Sequence, residues 1–328
     1  MLQIKKGIVA SFVLMAGSLI HGGITYAAPI EPNSNKLLER PSWLPELPTM
    51  DNSKFAPDSV IYTKLRKRLL EDHDKTALPE LEKLVKRGHA ASLVLSGYIL
   101  DQEPKLIKTD STKAGQYWQR AAQANDAAAI YNLGILYLNG RGVPQNLDTA
   151  DKLFALAAGQ GMYRAYYMRG QLMEKNVQYP QAIQQYTRCL NVNYLVQCKT
   201  RFGILNVTKI RLKPEEAKRA INILTIASKQ GDLEASYTLA RLAAEGIVLS
   251  KSLATMVYYL EVMLNSKNTT NQYRQLAIKM YKAYNPTQDD IKRGKDNYRI
   301  ANAGNVSSLV YRKIDTTKPV LDAGNIIE

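Results

Sequence analysis

Residues 126–161 read DAAAIYNLGILYLNGRGVPQNLDTADKLFALAAGQG and decide the fold of this chain. Alanine, leucine and aromatic residues recur there with the spacing of an amphipathic helix, first over 126–139 and again over 147–159. The turn at 140–144 contains glycines that accept left-handed backbone angles and a proline that cannot extend the first helix. Since neither helix can bury its apolar face alone, the stretch predicts a hairpin that stacks on copies of itself.

Copies of this hairpin recur along the chain. Each second helix opens with an alanine, and these alanines stand 32–38 residues apart, at Ala77, Ala114, Ala150, Ala182 and Ala220. The next first helix carries a small residue where a neighbouring helix would come close, at Gly97, Gly134, Gly170, Gly203 and Ala240. One hairpin in each period of this length predicts an all-α solenoid.

The pattern A-x-x-x-Y-x-x-A-A-x-x-G-x-x-x-A-x-x-x-L-G-x-x-Y-x-x-G-x-G-V resembles the Sel-one-like repeat (SLR) family, a branch of the tetratricopeptide-like helical hairpins. Residues 114–143 follow it almost throughout, with Asn125 in place of the turn glycine, and the resemblance extends over about 77–264. It implies a right-handed α-solenoid of stacked antiparallel hairpins that binds other proteins. It does not imply an enzyme.

Residues 1–27 have the features of a secretory signal peptide. Two lysines precede an apolar run at 7–20, which is shorter than a membrane-spanning helix, and residues 25–27 form a small-x-small cleavage motif. We therefore predict a mature chain that begins at Ala28, lies in the periplasm or is secreted, and has no stable membrane insertion. An uncleaved anchor is the alternative.

The rest of the chain divides into three predicted parts. Residues 28–57 contain six prolines and Trp43, which predicts an extended leader that is either a flexible spacer or a polyproline-like segment lying in a groove. Residues 58–302 form the solenoid, with a capping helix at its start and degenerate capping helices after about 264. Residues 303–328 have no clear period and predict a loosely ordered tail.

The chain is strongly basic, with a formal net charge of +15 that becomes +13 when Lys5 and Lys6 leave with the signal peptide. In an exported protein this charge favours an acidic protein, a cell-wall glycan or a membrane surface over nucleic acid, and solubility alone is the alternative. The stretch from Lys152 to Lys213 contains ten basic residues and only one acidic residue, Glu174, together with six tyrosines. Tyrosine and arginine are the residues favoured at protein-binding hot spots.

In tetratricopeptide-like stacks the first helix of each hairpin lines the concave side. Counting from the close-packing small residues places a set of polar and aromatic side chains there: Tyr131, Asn132, Arg164, Tyr167, Gln171, Arg201, Tyr237 and Arg241. This predicts a groove with tyrosines at its edges and Arg164 and Arg201 at its centre, suited to an acidic segment of a partner protein. The alternative is that these are solvated helix residues.

Cys189 and Cys198 are the whole cysteine content, and they flank the turn at 190–193. One lies near the end of a predicted helix and the other in the first turns of the next, which predicts a disulfide in an oxidising compartment, with two free thiols as the alternative. The cysteine-rich secreted branch of the SLR family has a similar bond with seven intervening residues, whereas eight intervene here.

The sequence contains no recognisable catalytic constellation. After the signal peptide, His73 and His89 are isolated and are predicted to be surface polar residues, and no nucleophile elbow, phosphate loop or Cys/His pair is apparent. We therefore expect no enzyme activity, no cofactor and no metal. Three functions stay open: a scaffold that binds a partner through its concave face, an immunity or inhibitor protein against a secreted toxin or cell-wall hydrolase, and a peptidoglycan- or polysaccharide-associated protein.

Overall fold

A computed structural model describes residues 56–193, 195–210 and 213–302. The predicted signal peptide, nearly all of the proline-rich leader with Trp43, and the C-terminal tail lie outside the described residues, so those assignments stay predictions.

The described residues form fourteen α-helices and contain no strand. The helices are α1 (Ala56–Leu70), α2 (Leu78–Lys86), α3 (Ala90–Gln102), α4 (Ser111–Gln123), α5 (Ala127–Asn139), α6 (Leu147–Gly159), α7 (Tyr163–Lys175), α8 (Tyr179–Arg188), α9 (Val196–Lys209), α10 (Pro214–Lys229), α11 (Leu233–Glu245), α12 (Leu253–Leu264), α13 (Asn271–Tyr284) and α14 (Gln288–Asn302). Successive pairs pack as hairpins, which we number 1 to 5: α3/α4, α5/α6, α7/α8, α9/α10 and α11/α12. Each hairpin packs on the next, so the predicted all-α solenoid is confirmed.

Glycines in the first helices bring the two helices of a hairpin into contact. A Cβ atom at Gly134 would lie 2.6 Å from the ring of Phe154, and one at Gly170 would lie 2.4 Å from the ring of Tyr186. The same holds at Gly97, where a Cβ would meet the Trp118 ring at 2.4 Å. No side chain fits at these positions, as the sequence predicts.

Polar caps and left-handed glycines fix the ends of the helices. The side chains of Asp126 and Asn146 accept hydrogen bonds from backbone N–H groups in the first turns of α5 and α6, each cap stabilising its helix by about 1 kcal/mol. Gly140 and Gly142 take φ values of 66° and 68° in the turn between those helices. A Cβ at Gly142 would lie 2.6 Å from the backbone of Ser111, so this turn also packs on the start of α4.

Helices α13 and α14 follow the last hairpin. Helix α14 packs along α12, and a Cβ at Gly294 would lie 2.5 Å from Val257 Cβ and 2.6 Å from the Ala254 carbonyl oxygen. In the part of the chain that the structure describes, no helix combines the length and the apolar character needed to cross a bilayer.

Candidate functional site

Four of the eight predicted groove residues are buried. Tyr131 and Asn132 are 0% exposed, Arg164 is 6% exposed and Tyr167 is 7% exposed. The expectation that these four side chains face an open groove is therefore corrected. In particular, Arg164 does not offer a solvent-exposed charge at the centre of the stack.

The two tyrosines are buried because of the glycine that follows each of them by one helical turn. The ring of Phe154 fills the space at Gly134, and Tyr131 packs against that ring with 5.5 Å between the centroids. Tyr167 packs in the same way on Tyr186, which lies over Gly170, at 5.7 Å. Both tyrosines therefore belong to the interior of their hairpins, and burial raises the pKa of the Tyr167 phenol above its usual value.

The other four predicted residues keep part of their side chains in solvent, and we call them the first-helix stripe: Gln171, Arg201, Tyr237 and Arg241. Gln171 is exposed, and its Nε2 donates a hydrogen bond to the Tyr167 hydroxyl at 3.0 Å. Tyr237 is half-buried one turn before Arg241 on α11, and the side chain of Arg241 is 42% exposed. The stripe thus runs over α7, α9 and α11.

Arg201 connects three consecutive hairpins. Its Nε donates to Glu174 Oε1 at 3.0 Å, its Nη2 donates to Glu174 Oε2, and its Nη1 donates to Glu234 Oε1 at 2.8 Å. Glu174 lies on α7 and Glu234 on α11, so the guanidinium on α9 bridges hairpins 3, 4 and 5. Because two carboxylates already surround it, Arg201 does not present the uncompensated positive charge that the sequence predicts.

Tyr186 completes this network from α8. Its hydroxyl donates to Glu174 Oε1 at 2.6 Å. Burial and the charge of Glu174 raise the pKa of the Tyr186 phenol well above its usual value, so the phenol stays protonated and remains a donor. In the sequence, Glu174 stands out only as the single acid of a basic stretch, and Glu234 does not stand out at all. That isolation was the available signal, since a lone carboxylate among basic residues is readily paired.

The structure joins Cys189 and Cys198 in a disulfide, with their Cα atoms 5.9 Å apart. Cys189 follows α8 and Cys198 lies in the first turn of α9, so the bond connects hairpin 3 to hairpin 4. Both cysteines are completely buried. The bond therefore lies in the same inter-hairpin boundary that Arg201 crosses.

His89 is a buried capping residue, which corrects the prediction of a surface position. It is 7% exposed, its Nδ1 accepts from the Ser92 backbone N–H at 3.3 Å, and its ring lies 5.5 Å from that of Tyr62. Burial lowers its pKa below the usual value, although the carboxylate of Asp58 opposes the shift. Among the described residues, no three His, Cys, Asp or Glu side chains come together as a metal site would require.

Comparison with known proteins identifies the hairpins. The family model described as the Sel1 repeat matches residues 91–126 and 127–162, which correspond closely to hairpins 1 and 2. A search of curated proteins finds no match.

Solved structures include similar folds. A Sel1 repeat protein from Oxalobacter formigenes aligns with a TM-score of 0.58 and 21% identity, over 76% of this chain and 99% of that one. A protective antigen with an SLR fold from uropathogenic Escherichia coli strains has a TM-score of 0.39, 14% identity, and coverage of 70% and 64%. An immunity protein from Pseudomonas aeruginosa has a TM-score of 0.36, 16% identity, and coverage of 62% and 83%.

The first similarity shows the fold alone, and the second and third are too weak to support an inference about this chain. The chain therefore contains two Sel1 repeats, at residues 91–162, within a stack of helical hairpins that has the fold of a Sel1-repeat solenoid.

Proposed function

We propose that this chain is an exported, non-enzymatic scaffold that binds a partner protein along the first-helix stripe. Sel1-repeat proteins generally serve as protein-interaction scaffolds, which supports the broad assignment. The observation that carries the proposal is the pair of Tyr237 and Arg241 on α11, an aromatic side chain beside a half-exposed guanidinium. Tyrosine and arginine together are the usual anchors of protein interfaces.

Arg241 has hydrogen-bonding capacity to spare. Its nearest carboxylate is Glu245, with Nε and Oε1 3.9 Å apart, which is too long for a hydrogen bond. The same Glu245 oxygen accepts from the Tyr284 hydroxyl at 3.0 Å. Nε of Arg241 is buried and has no acceptor among the described residues, so a partner cannot reach that atom. A carboxylate of an acidic partner segment would instead pair with the exposed part of the guanidinium, since hydrogen bonds between arginine and carboxylates are charge-assisted and strong.

The network at Arg201 supports a preorganised surface. By bridging α7, α9 and α11 it holds the three helices that carry the stripe in fixed register. A rigid surface loses little conformational entropy when a partner binds, and more of the contact free energy then appears as affinity.

Export is the second part of the proposal. The signal-peptide features of residues 1–27 support it, and the buried disulfide between Cys189 and Cys198 is of the kind that persists in oxidising compartments. We expect the protein to be recovered from the periplasm, or from the medium, with Ala28 as its first residue and no free thiol. Intact-mass analysis with and without a thiol-alkylating reagent measures both properties, and an uncleaved N-terminus would contradict export by this route.

The partner-binding proposal is tested by capture from envelope extract with the mature chain, followed by affinity measurement with the captured protein. Arg241→Glu combined with Tyr237→Ala is expected to abolish binding, because it reverses the charge and removes the aromatic contact. The matched control is Arg299→Glu, a charge reversal on α14 at a side chain that is 75% exposed. Equal binding by the stripe variant and the wild type would overturn the assignment.

Two further measurements separate the alternatives. A scaffold leaves the activity of its partner intact, whereas an immunity or inhibitor protein abolishes it. Purified peptidoglycan is expected not to sediment the mature chain, and sedimentation that survives in the stripe variant would favour glycan binding instead.

A further inference from the structure

Two exposed valines occupy left-handed backbone conformations. Val177 has a φ of 62° and is 66% exposed, and Val248 has a φ of 64° and is 47% exposed. A β-branched residue seldom adopts positive φ, because its Cβ crowds the following carbonyl oxygen. Both positions therefore carry local strain.

The surrounding geometry suits glycine at both places. At Val177 the N–H donates to the Glu174 carbonyl at 2.9 Å, and the next N–H, of Gln178, donates to the Met173 carbonyl at 2.8 Å. The turn at Gly161 closes with the same two bonds, and there the left-handed residue is glycine. This is the helix-ending turn that normally selects glycine.

Val248 has an equivalent in hairpin 2. The left-handed glycines Gly140 and Gly246 end α5 and α11, and two residues after each of them comes a second left-handed position. That second position is Gly142 in hairpin 2 and Val248 in hairpin 5. The chain thus places valine where its own repeat pattern uses glycine.

The folded chain gains little from these valine side chains. Val177 is 66% exposed and Val248 is 47% exposed, and Ile247 beside Val248 is also 44% exposed. Val177 lies between α7 and α8, and Val248 lies between α11 and α12. Because every such turn joins a first helix to a second helix, stacking places both turns on the same edge of the solenoid. Backbone strain and exposed apolar side chains that recur on one edge are typical of a functional surface that contacts another molecule.

Lysines accompany the valines on this edge. Lys175 ends α7, Lys209 ends α9 and Lys251 lies in the turn before α12, and all three are exposed. The carboxylates nearest in sequence to Lys175 and Lys251 already have partners: Glu174 pairs with Arg201, and Glu245 accepts a hydrogen bond from Tyr284. Those nearest to Lys209 are Glu215 and Glu216, in the first turn of α10. The edge therefore combines apolar side chains with positive charge.

We propose that this loop edge, formed by Val177, Ile247 and Val248 with Lys175, Lys209 and Lys251, is a second docking surface. Its partner is a protein segment in which apolar side chains alternate with carboxylates. The apolar side chains of the partner cover Val177, Ile247 and Val248, and the carboxylates of the partner pair with the three lysines. The loop edge shares no residue with the first-helix stripe, so either surface can fail its test independently of the other.

The first test is photo-crosslinking in cells that make the full chain, with a photoreactive amino acid at position 177, 248 or 226. Ile226 on α10 is the control, because it is 48% exposed but lies in a helix. Positions 177 and 248 are expected to give an adduct with one common protein, and position 226 is expected not to give it. A common adduct with a second copy of this chain, or the absence of a common adduct, would overturn the proposal.

The second test measures stability and affinity together, using the crosslinked protein as the probe. Val177→Gly with Val248→Gly is expected to raise the melting temperature by about 2 °C or more, because the strain is relieved. The same variant is expected to bind the partner about tenfold more weakly than the wild type does. Because lysine–carboxylate pairs contribute to the complex, the affinity is expected to fall as the salt concentration rises. Ile226→Ala should leave the affinity unchanged. A stabilised variant that binds as tightly as the wild type would show that the valines only occupy the turns, and an unchanged melting temperature would remove the premise of strain.

Discussion

Replacing Arg201 by methionine removes the guanidinium that bridges hairpins 3, 4 and 5 while keeping an unbranched apolar stem. The side chains of Arg201 and Glu174 are 24% and 14% exposed, and that of Glu234 is 45% exposed. Removing one partner of a fully buried ion pair costs about 3–5 kcal/mol. Because these groups are partly solvated, and Glu234 can turn to water, we expect a loss of about 2–3 kcal/mol in the free energy of unfolding.

Arg169 provides a matched control for Arg201. It also forms a fork with one carboxylate, that of Asp151, through hydrogen bonds of 2.8 and 3.3 Å, but it joins only α6 and α7. Its side chain and that of Asp151 are 21% and 36% exposed. Arg169→Met is therefore expected to cost about 0.5–1 kcal/mol.

The measurement is urea unfolding of the full mature chain, followed by circular dichroism, with Glu174→Gln added to complete a double-mutant cycle. Since Arg201 and Glu174 share two hydrogen bonds, the double variant is expected to lose less than the sum of the single variants, by about 1 kcal/mol or more. If Arg201→Met costs no more than Arg169→Met, or if the cycle shows no coupling, the network does not fix the register of the hairpins.

Three further predictions concern stability. Gly294→Ala is expected to lower the free energy of unfolding by about 1–2 kcal/mol, measured by thermal unfolding, because the new Cβ would lie 2.6 Å from the Ala254 carbonyl oxygen. Gly115→Ala is the control: its Cβ would meet only the end of the Leu136 side chain, at 3.1 Å, and the free energy of unfolding should change by less than about 0.5 kcal/mol. Replacing Cys189 and Cys198 together by alanine should cost about 2–3 kcal/mol in urea, and reducing agent should then have no further effect on the variant. Because burial lowers the pKa of His89, its contribution to stability is complete above the unfolded pKa of about 6.5 and is lost as pH falls below that value towards the lower folded pKa. His89→Asn should flatten the pH dependence of the unfolding free energy below about pH 6.5, and an unchanged slope would contradict the assignment.

The sequence by itself determined the fold. The spacing of apolar residues predicts helices over 126–139 and 147–159, which the structure gives as Ala127–Asn139 and Leu147–Gly159. The small residues at Gly97, Gly134 and Gly170 predict where the two helices of a hairpin touch. These signals are local: a helical period is visible within a short stretch of sequence, and a small residue at a fixed position in that period marks where a neighbouring helix comes close. The turn at 140–144 is also predictable from its own residues, because its two glycines accept the left-handed backbone conformations that the turn requires.

Only the tertiary structure decided which side chains of the first helices stay accessible. Tyr131 and Tyr167 obey the same positional rule as Tyr237, yet the first two pack on rings of their second helices while the third remains half-exposed. Arg201 finds its carboxylates 27 and 33 residues away in the chain. No local pattern encodes such pairings, because they form only when one hairpin lies against the next and burial makes an unpaired charge costly.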